Sequence, residues 1–328
     1  AVPQIAGLAE AGYLTSETVF ELERAPASIT MLGGGPLAIE MAQAFARLGV
    51  RVTVLQKGKA ILPRDEPDLV AILTRRLLAE GVDIRLDVAA ERVGLDNGRK
   101  VVHGTEAGRP QAWGTDELLV AVGRRPNVEG LGLRGVGVTV GPAGVSVDGR
   151  MRTSVPSVYA SGDVAGRYHF THSAGYESIR AVRDMFFPGR GRVRALVPWC
   201  TFTDPELAHA GLTLAEAKAR YGNDAGVWRL DLSHSDRARA DGAGEGAVMI
   251  VTGRRNRVVG AHILAPAAGE MIHELVMAIE RRLKLNQVAS LIHVYPTMST
   301  ATGQLAARAA FQGARRFDWL VRRESRAR

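Results

Sequence analysis

The chain has 328 residues, 46% hydrophobic and 23% charged, a globular balance long enough for two or three domains and unlike a disordered tail or a fibre. Its single cysteine, Cys200, excludes an internal disulfide, a Cys-x-x-Cys redox pair and a cysteine zinc site, and suits a reducing, cytoplasmic setting. The net charge of +8 comes from basic residues scattered everywhere but in the tail 314–328, with no zinc-finger, RNP or helix-turn-helix pattern, so nucleic acid is not an expected partner.

Residues 1–28 read as a loop with a short helix, without the basic start and apolar core of a signal peptide. No apolar run approaches the ~18 residues of a membrane span, so no membrane partner is expected. The first strong signal is an apolar strand over 29–32, followed by Gly33-Gly34-Gly35-Pro36. After Pro36, the residues Leu37, Met41, Ala44, Phe45 and Leu48 fall at helical spacing, and Gly49 closes the helix. Pro36 suits the first helical turn, where its missing N–H has no intrahelical partner. A β-branched strand over 50–55 completes a βαβ unit.

Beyond it the pattern predicts a helix over 67–80, a strand over 82–86 and short irregular strands between 89 and 113, with a turn at Asp96-Asn97-Gly98. A buried strand over 118–122 runs into Gly123, and residues 158–160 lead into Ser161-Gly162-Asp163. Residues 188–194 read as a linker. After them come strands over 226–232, 247–251 and 258–263, then helices over 267–283 and from about 299. Strands grouped before helices indicate an α+β domain.

The Gly33-x-Gly35-x-x-Ala38 spacing is a dinucleotide fingerprint. The first glycine makes the turn, the second lets backbone approach a pyrophosphate, and the small third residue lets the helix pack on the sheet. The pyrophosphate then lies at the helix N-terminus, where free N–H groups and the helix dipole favour anions. The bland alternative is a glycine turn that only permits close packing; the strand, helix and second strand around it favour the nucleotide. At the end of the second strand, NAD sites place an acid and NADP sites a cation. This chain has Gln56-Lys57-Gly58-Lys59, so NADP is expected ahead of NAD, with Lys57 on the 2′-phosphate. The competing reading makes these ordinary loop lysines.

Six segments together resemble the flavin-dependent pyridine nucleotide–disulfide oxidoreductases, the group of dihydrolipoamide dehydrogenase, glutathione reductase and mercuric reductase. They are YLTSETVFEL at 13–22, GGGPLAIE at 33–40, AVGRRPN at 121–127, VYASGDVAG at 158–166, TFTDPELAHAGLT at 201–213 and HVYPTMS at 293–299. The resemblance implies an α/β fold with a Rossmann-type NAD(P) domain over 29–127, part of an FAD domain over 128–195 and an α+β dimerisation domain over 196–328. Residues 1–28 are then a linker from a missing half of the FAD domain. It places Gly33, Gly34, Gly35, Pro36, Leu37, Ala38 and Glu40 at the nicotinamide cofactor and Gly123 beside it. It puts Asp163 on the ribityl chain of FAD, with His169, Phe170, Thr171 and His172 lining the flavin ring.

Two departures qualify it. The family's N-terminal FAD-binding unit and Cys-x-x-x-x-Cys disulfide have no counterpart here, so the chain is expected to be the C-terminal two-thirds of such an enzyme and inactive alone. The family's interface-domain His and Glu are here Tyr295 and Thr300. Mercuric reductase-like members also carry Tyr, but the cysteine pair that ends that enzyme is absent from this sequence. Tyr295 is a candidate catalytic hydroxyl or an interface-packing tyrosine. His293 would share its face on a strand but need not in a turn. Cys200 reads as a buried structural thiol, and 316–323 as a terminal helix.

The expected activity of the intact protein is transfer of a hydride from NADPH to FAD and onward to a disulfide or related acceptor, in a homodimer. A nucleotide-binding protein without flavin and a dimerisation module without activity are the alternatives.

Overall fold

A computed structural model of the chain describes residues 1–187, 193 and 196–314, excluding the side chains of 313 and 314. Most of the expected linker at 188–194 and the expected terminal helix at 316–323 lie outside the described residues. Contacts divide the chain into two units: 2–121 with 198–328, and 122–197 with Ala1.

The first unit opens with a short helix α1 (Leu8–Ala11), then β1 (Ser28–Leu32), α2 (Pro36–Arg47), β2 (Arg51–Leu55), α3 (Pro67–Ala79) and β3 (Asp83–Arg85). A three-stranded antiparallel insertion follows, β4 (Val88–Asp96), β5 (Arg99–Glu106) and β6 (Arg109–Thr115), before β7 (Glu117–Val120) returns to the sheet. The order is β3-β2-β1-β7, with the neighbouring pairs parallel. β1 is buried at every position, as a strand covered on both faces must be. Both long helices start on a proline and bury one stripe: Ala38, Ile39 and Ala42 on α2, and Leu69, Val70, Leu73 and Leu77 on α3. Residues before β1 join this body closely. Leu8 and Val19 are buried, and Leu14 forms a bridge to Leu119.

The other unit carries a small hairpin of β8 (Val140–Gly141) and β9 (Gly144–Val145), and the helix α4 (Thr171–Phe186). Its small core is Met151, Ala165 and Ala181. The buried carboxylate of Asp184 is held by Arg152 Nε at 2.6 Å and by the Tyr159 hydroxyl at 3.2 Å.

From 198 the chain rejoins the first unit with β10 (Trp199–Thr201), β11 (Glu206–Gly211), α5 (Leu214–Tyr221), β12 (Gly226–Asp231), α6 (Asp236–Ala240), β13 (Ala247–Gly253), β14 (Arg257–Ala265), α7 (Ala268–Glu280), α8 (Leu285–Val288) and α9 (Thr300–Ala314). The five strands form one antiparallel sheet in the order β10-β11-β14-β13-β12. Both of its faces are covered. Ala208, Ile250 and Ile263 face a core shared with α7 and α9, while Leu207, Met249 and Leu264 join the core that contains α3. α7 ends three residues before the expected 283, because Arg282 takes a left-handed φ of 54° that breaks the helical bonding.

Candidate functional site

The fingerprint sits where β1 gives way to α2. β1 and β2 run in register to Leu32 opposite Leu55, so Gly33 and Gln56 leave the sheet side by side. Gly33 turns with φ 107°, a conformation open to glycine, and its N–H donates to the Leu55 carbonyl at 2.9 Å. Gly35 is extended and becomes the N-cap of α2, and no side chain caps the helix. A Cβ added at Gly35 would meet nothing within 4 Å, so the surface above the turn is open. Pro36 occupies the first helical position, Leu37 follows it, and Ala38 is fully buried against the sheet.

Open backbone N–H groups at an uncapped helix N-terminus, with no side chain in the way, are the elements of a phosphate cradle. The residues fit an adenine dinucleotide. Lys57 and Lys59, both exposed, stand in the loop after β2. Gln56, which sequence reasoning noted only for not being an acid, reaches across this turn: its Oε1 accepts the Gly34 N–H at 2.9 Å, and its Nε2 donates to the Ala60 carbonyl at 3.1 Å.

Glu40, expected at the nucleotide, is engaged elsewhere by one oxygen: its Oε1 accepts the Phe202 N–H at 2.8 Å, and burial raises its pKa. One turn later, Gln43 exchanges two hydrogen bonds with the Asp204 backbone, at 2.8 and 2.9 Å. α2 is thus fastened to the C-terminal domain along one side. α3 begins in the same way. Asp65 accepts the Trp199 indole N–H at 2.9 Å, and Glu66 accepts the Leu214 N–H.

In the unit spanning 122–197, Gly123 takes φ 131° and has open space where a Cβ would lie. Asp163 stands in a single helical turn after Gly162, whose N–H is held by the buried Glu177 carboxylate at 2.8 Å. Arg124 Nη1 donates to Asp163 Oδ2 and to the His169 carbonyl, both at 3.1 Å, so one guanidinium ties the Asp163 turn to the segment that starts α4. Phe170 is the N-cap of α4, which no side chain caps, and Thr171 is its first residue. His172 stacks on Phe170 with centroids 5.3 Å apart. The His169 Nε2 is buried without a hydrogen-bond partner. A half-exposed carboxylate, a buried unpaired ring nitrogen and an uncapped helix start fit a polyol and a heterocycle with hydrogen-bonding carbonyl and nitrogen atoms. Arg124 and Glu177 were not singled out in the sequence, since a bond between distant turns leaves no local pattern.

Tyr295 lies in a turn, not on a strand. Its hydroxyl donates to Asp236 Oδ2 at 3.0 Å, and that bond raises its pKa. His293 faces elsewhere: its Nε2 meets Glu274 Oε2 at 2.9 Å, and its ring lies against Gly303. Thr300 bonds Thr297. Cys200 is only half-buried on β10, but burial, with Glu206 next in effect, pushes its thiol up to about 12, which keeps it protonated and unreactive. Among the described residues no cluster of His, Cys, Asp or Glu could hold a metal ion, and no helix is long and apolar enough to cross a membrane.

The parallel sheet with its open glycine turn defines a Rossmann-type α/β protein with an antiparallel C-terminal domain. The family model described as pyridine nucleotide-disulphide oxidoreductase matches residues 1–178, and that of the family's dimerisation domain matches 197–306. The chain belongs to this family. It is 31% identical to a mercuric reductase of Bacillus cereus over 300 residues, covering 90% of this chain and 47% of the relative. It is 34% identical to a dihydrolipoyl dehydrogenase of Halobacterium salinarum over 296 residues, covering 89% and 62%. Among solved structures, the HOCl-induced flavoprotein disulfide reductase RclA of Escherichia coli matches with a TM-score of 0.86 at 29% identity, over 94% of this chain and 71% of that one. The chain spans about half the length of the curated mercuric reductase.

Proposed function

We propose that the chain is the nucleotide-binding and dimer-forming part of a flavin-dependent oxidoreductase that takes reducing equivalents from NADPH and passes them through FAD to a disulfide or related acceptor. The observation that carries this reading is the open glycine turn at the uncapped start of α2. Relatives named mercuric reductase, dihydrolipoyl dehydrogenase and flavoprotein disulfide reductase support the reaction class. When bound, FAD supplies the two-electron redox chemistry.

The chain's own residues bind and orient. The backbone N–H groups of Gly35, Leu37 and Ala38 face the pyrophosphate, those of Gly33 and Gly34 being bonded within the turn, and the dipole of α2 favours its charge. Lys57 attracts a 2′-phosphate as a point charge, with no acid among residues 56–60 to oppose it. Gly123 leaves room for a flat ring beside its backbone. Asp163, fixed by Arg124, offers a carboxylate to ribityl hydroxyls. His169, Phe170, Thr171 and His172 form a wall at the start of α4. Tyr295 has committed its proton to Asp236, so its oxygen serves as a hydrogen-bond acceptor rather than as a base. The C-terminal domain carries the homodimer contact, which keeps the turn at 293–299 at an interface between copies.

Lys57→Glu in the intact flavoenzyme tests the cofactor. It is expected to raise the KM for NADPH by about tenfold or more and leave that for NADH nearly unchanged. Equal changes in both would remove Lys57 from the site.

A further inference from the structure

We infer that the corner where the β13–β14 turn meets the α7–α8 loop is a docking surface for an acidic peptide segment of a partner protein. Two basic runs lie apart in the sequence, Arg254-Arg255-Asn256-Arg257 and Arg281-Arg282-Leu283-Lys284. The fold brings them together. Arg257 forms an antiparallel bridge to Lys284, and the Val258 N–H donates to the Leu283 carbonyl at 2.9 Å. Arg257 Nη1 donates to the Arg282 carbonyl at 3.2 Å. Six basic side chains thus share one corner, Arg257 half-buried and the others exposed.

This arrangement works against the fold of the chain by itself. Arg257 and Lys284 are like charges directly opposite each other, which destabilises a pair of strands. Arg254 is neutralised by Asp224 at 3.3 Å, whereas Arg255, Arg281, Arg282 and Lys284 have no carboxylate partner among the described residues. The backbone is costly here as well. Arg255, Asn256 and Arg282 take left-handed φ of 59°, 55° and 54°, which side chains adopt only where their surroundings hold them. Uncompensated charge and held backbone coincide at one exposed corner. A bound polyanion relieves the self-repulsion, and the held loops present the charges without further loss of freedom.

The chemistry of the corner selects among polyanions. All but one of its cations are arginines, whose planar fork bonds a carboxylate or a phosphate through two N–H groups. Neither run exposes an apolar or aromatic side chain, Leu283 being half-buried. Single-stranded nucleic acid calls for an aromatic platform, and lasting attachment to a membrane surface calls for apolar insertion as well as charge. The nearby ring of Tyr221 lies against Gly253 and carries the Arg220 guanidinium at 5.4 Å, so it offers no platform. Carboxylates bound the cations on both sides: Asp224 beside Arg254, and Glu280, the last residue of α7, directly before Arg281. The second phosphate row of a duplex would meet these acids. A single extended peptide is narrower, and acids on its alternate residues repeat about every 7 Å along two basic runs about 5 Å apart. The partner class that follows is a protein with an exposed segment rich in aspartate and glutamate.

The test is fluorescence anisotropy of the full chain with a labelled peptide of about twelve residues that alternates glutamate and serine. Duplex DNA and vesicles of phosphatidylcholine with about one-third phosphatidylserine serve as competing probes. The unaltered chain is expected to bind the peptide more tightly than either competitor, and less tightly as salt rises. Arg281→Glu with Lys284→Glu should lower the peptide affinity by about tenfold or more, and Arg281→Gln with Lys284→Gln by a smaller factor. Arg51→Glu with Arg109→Glu changes the net charge as much on exposed strand ends of the nucleotide domain, and should cost less than about threefold. Melting curves that match the unaltered chain show that each pair has folded. Equal losses from the corner pair and the distant pair would overturn the inference, because net charge alone would then explain the binding. Tighter binding of the duplex or the vesicles would overturn the choice of partner, and absence of peptide binding at low salt would overturn the docking surface itself.

Discussion

At the scale of single residues, the neighbouring glycines 34 and 35 of the turn do different work, and substitution separates them. Gly35 has φ −81° and ψ 178°, a conformation any residue adopts, with nothing within 4 Å of an added Cβ. Gly35→Ala should therefore leave the thermal midpoint within a degree or two, since it adds no clash and no strain. The added methyl would stand where a pyrophosphate approaches backbone. Nucleotide affinity should fall by about tenfold, or ~1.4 kcal/mol. A melting curve beside a titration checks both halves, and an unchanged affinity would mean that the ligand does not pass over this turn. Gly34 is the structural member of the pair, because its missing Cβ makes room for Gln56. The sequence pattern assigns Gly35 to the approach of a pyrophosphate but carries no sign that Gly34 makes room for Gln56.

At the scale of elements, the joint between the nucleotide domain and the antiparallel sheet contains an unusual group of titratable side chains. His209 on β11 lies opposite His262 on β14, the rings meeting edge-on at 4.6 Å, and His209 stacks on Trp199 at 3.7 Å. Each ring donates through Nε2 to a backbone carbonyl, of Gly211 at 3.0 Å and Leu212 at 3.1 Å, and each Nδ1 is buried without a partner. Burial, with the neighbouring histidine next in effect, pushes His209 down to about 3, and burial pushes His262 down to about 4. Asp65, buried under the same indole, is pushed up to about 6. The two kinds of group act in opposite directions. A histidine held neutral in the fold loses stability as pH falls from its ordinary 6.5 toward its folded value, because the unfolded chain takes the proton first. An aspartate with a raised pKa gains stability as pH falls from 6 toward 3.8. His209→Phe should therefore flatten the loss of stability between pH 6.5 and 4, by up to ~1.4 kcal/mol per pH unit. Asp65→Asn, which keeps an acceptor for Trp199, should make that loss steeper. Denaturant titrations at pH 7, 6, 5 and 4 would separate the slopes, and a common slope for all three proteins would refute the assignment.

Much at this scale was legible in the sequence. The strand, glycine turn, helix and strand over 29–55 have strong periodicity, and the apolar strands at 247–251 and 258–263 appear within a residue or two of their bounds. What escaped was carried by contacts between distant segments. β10 and β11 lie in a stretch broken by Thr, Asp and Pro, and they are strands because β14 pairs with β11 and β11 in turn with β10. α5 had a readable signal in Thr213-x-x-Glu216, a capping box formed in the structure. The glycine turn between β1 and α2 was legible because its geometry is local. The Gln56 staple, the Arg124 clamp and the inward turn of His293 were not, since each joins residues whose separation in sequence carries no period.

At the scale of the whole molecule, the surface of the C-terminal domain contradicts what a lone soluble domain would present. Leu291, Ile292, Val294 and Tyr295 are exposed within five consecutive residues, Ile292 at 101% and Val294 at 77%. Between them His293 turns inward to Glu274, which anchors the turn while its neighbours point outward. A contiguous apolar strip of this kind marks a surface that another molecule covers, and the domain's match to a dimerisation family supports the proposal that this molecule is a second copy. Because Ile292 touches so little of its own chain, its replacement separates assembly from folding. Ile292→Asp should leave the circular dichroism spectrum and the thermal unfolding of the monomeric species unchanged. It should also convert a dimer to a monomer in sedimentation velocity, since a desolvated carboxylate on each copy costs several times what the lost methyls contribute. A dimer that survives the substitution at the same concentration would place the contact elsewhere on the domain and leave the strip to a different partner.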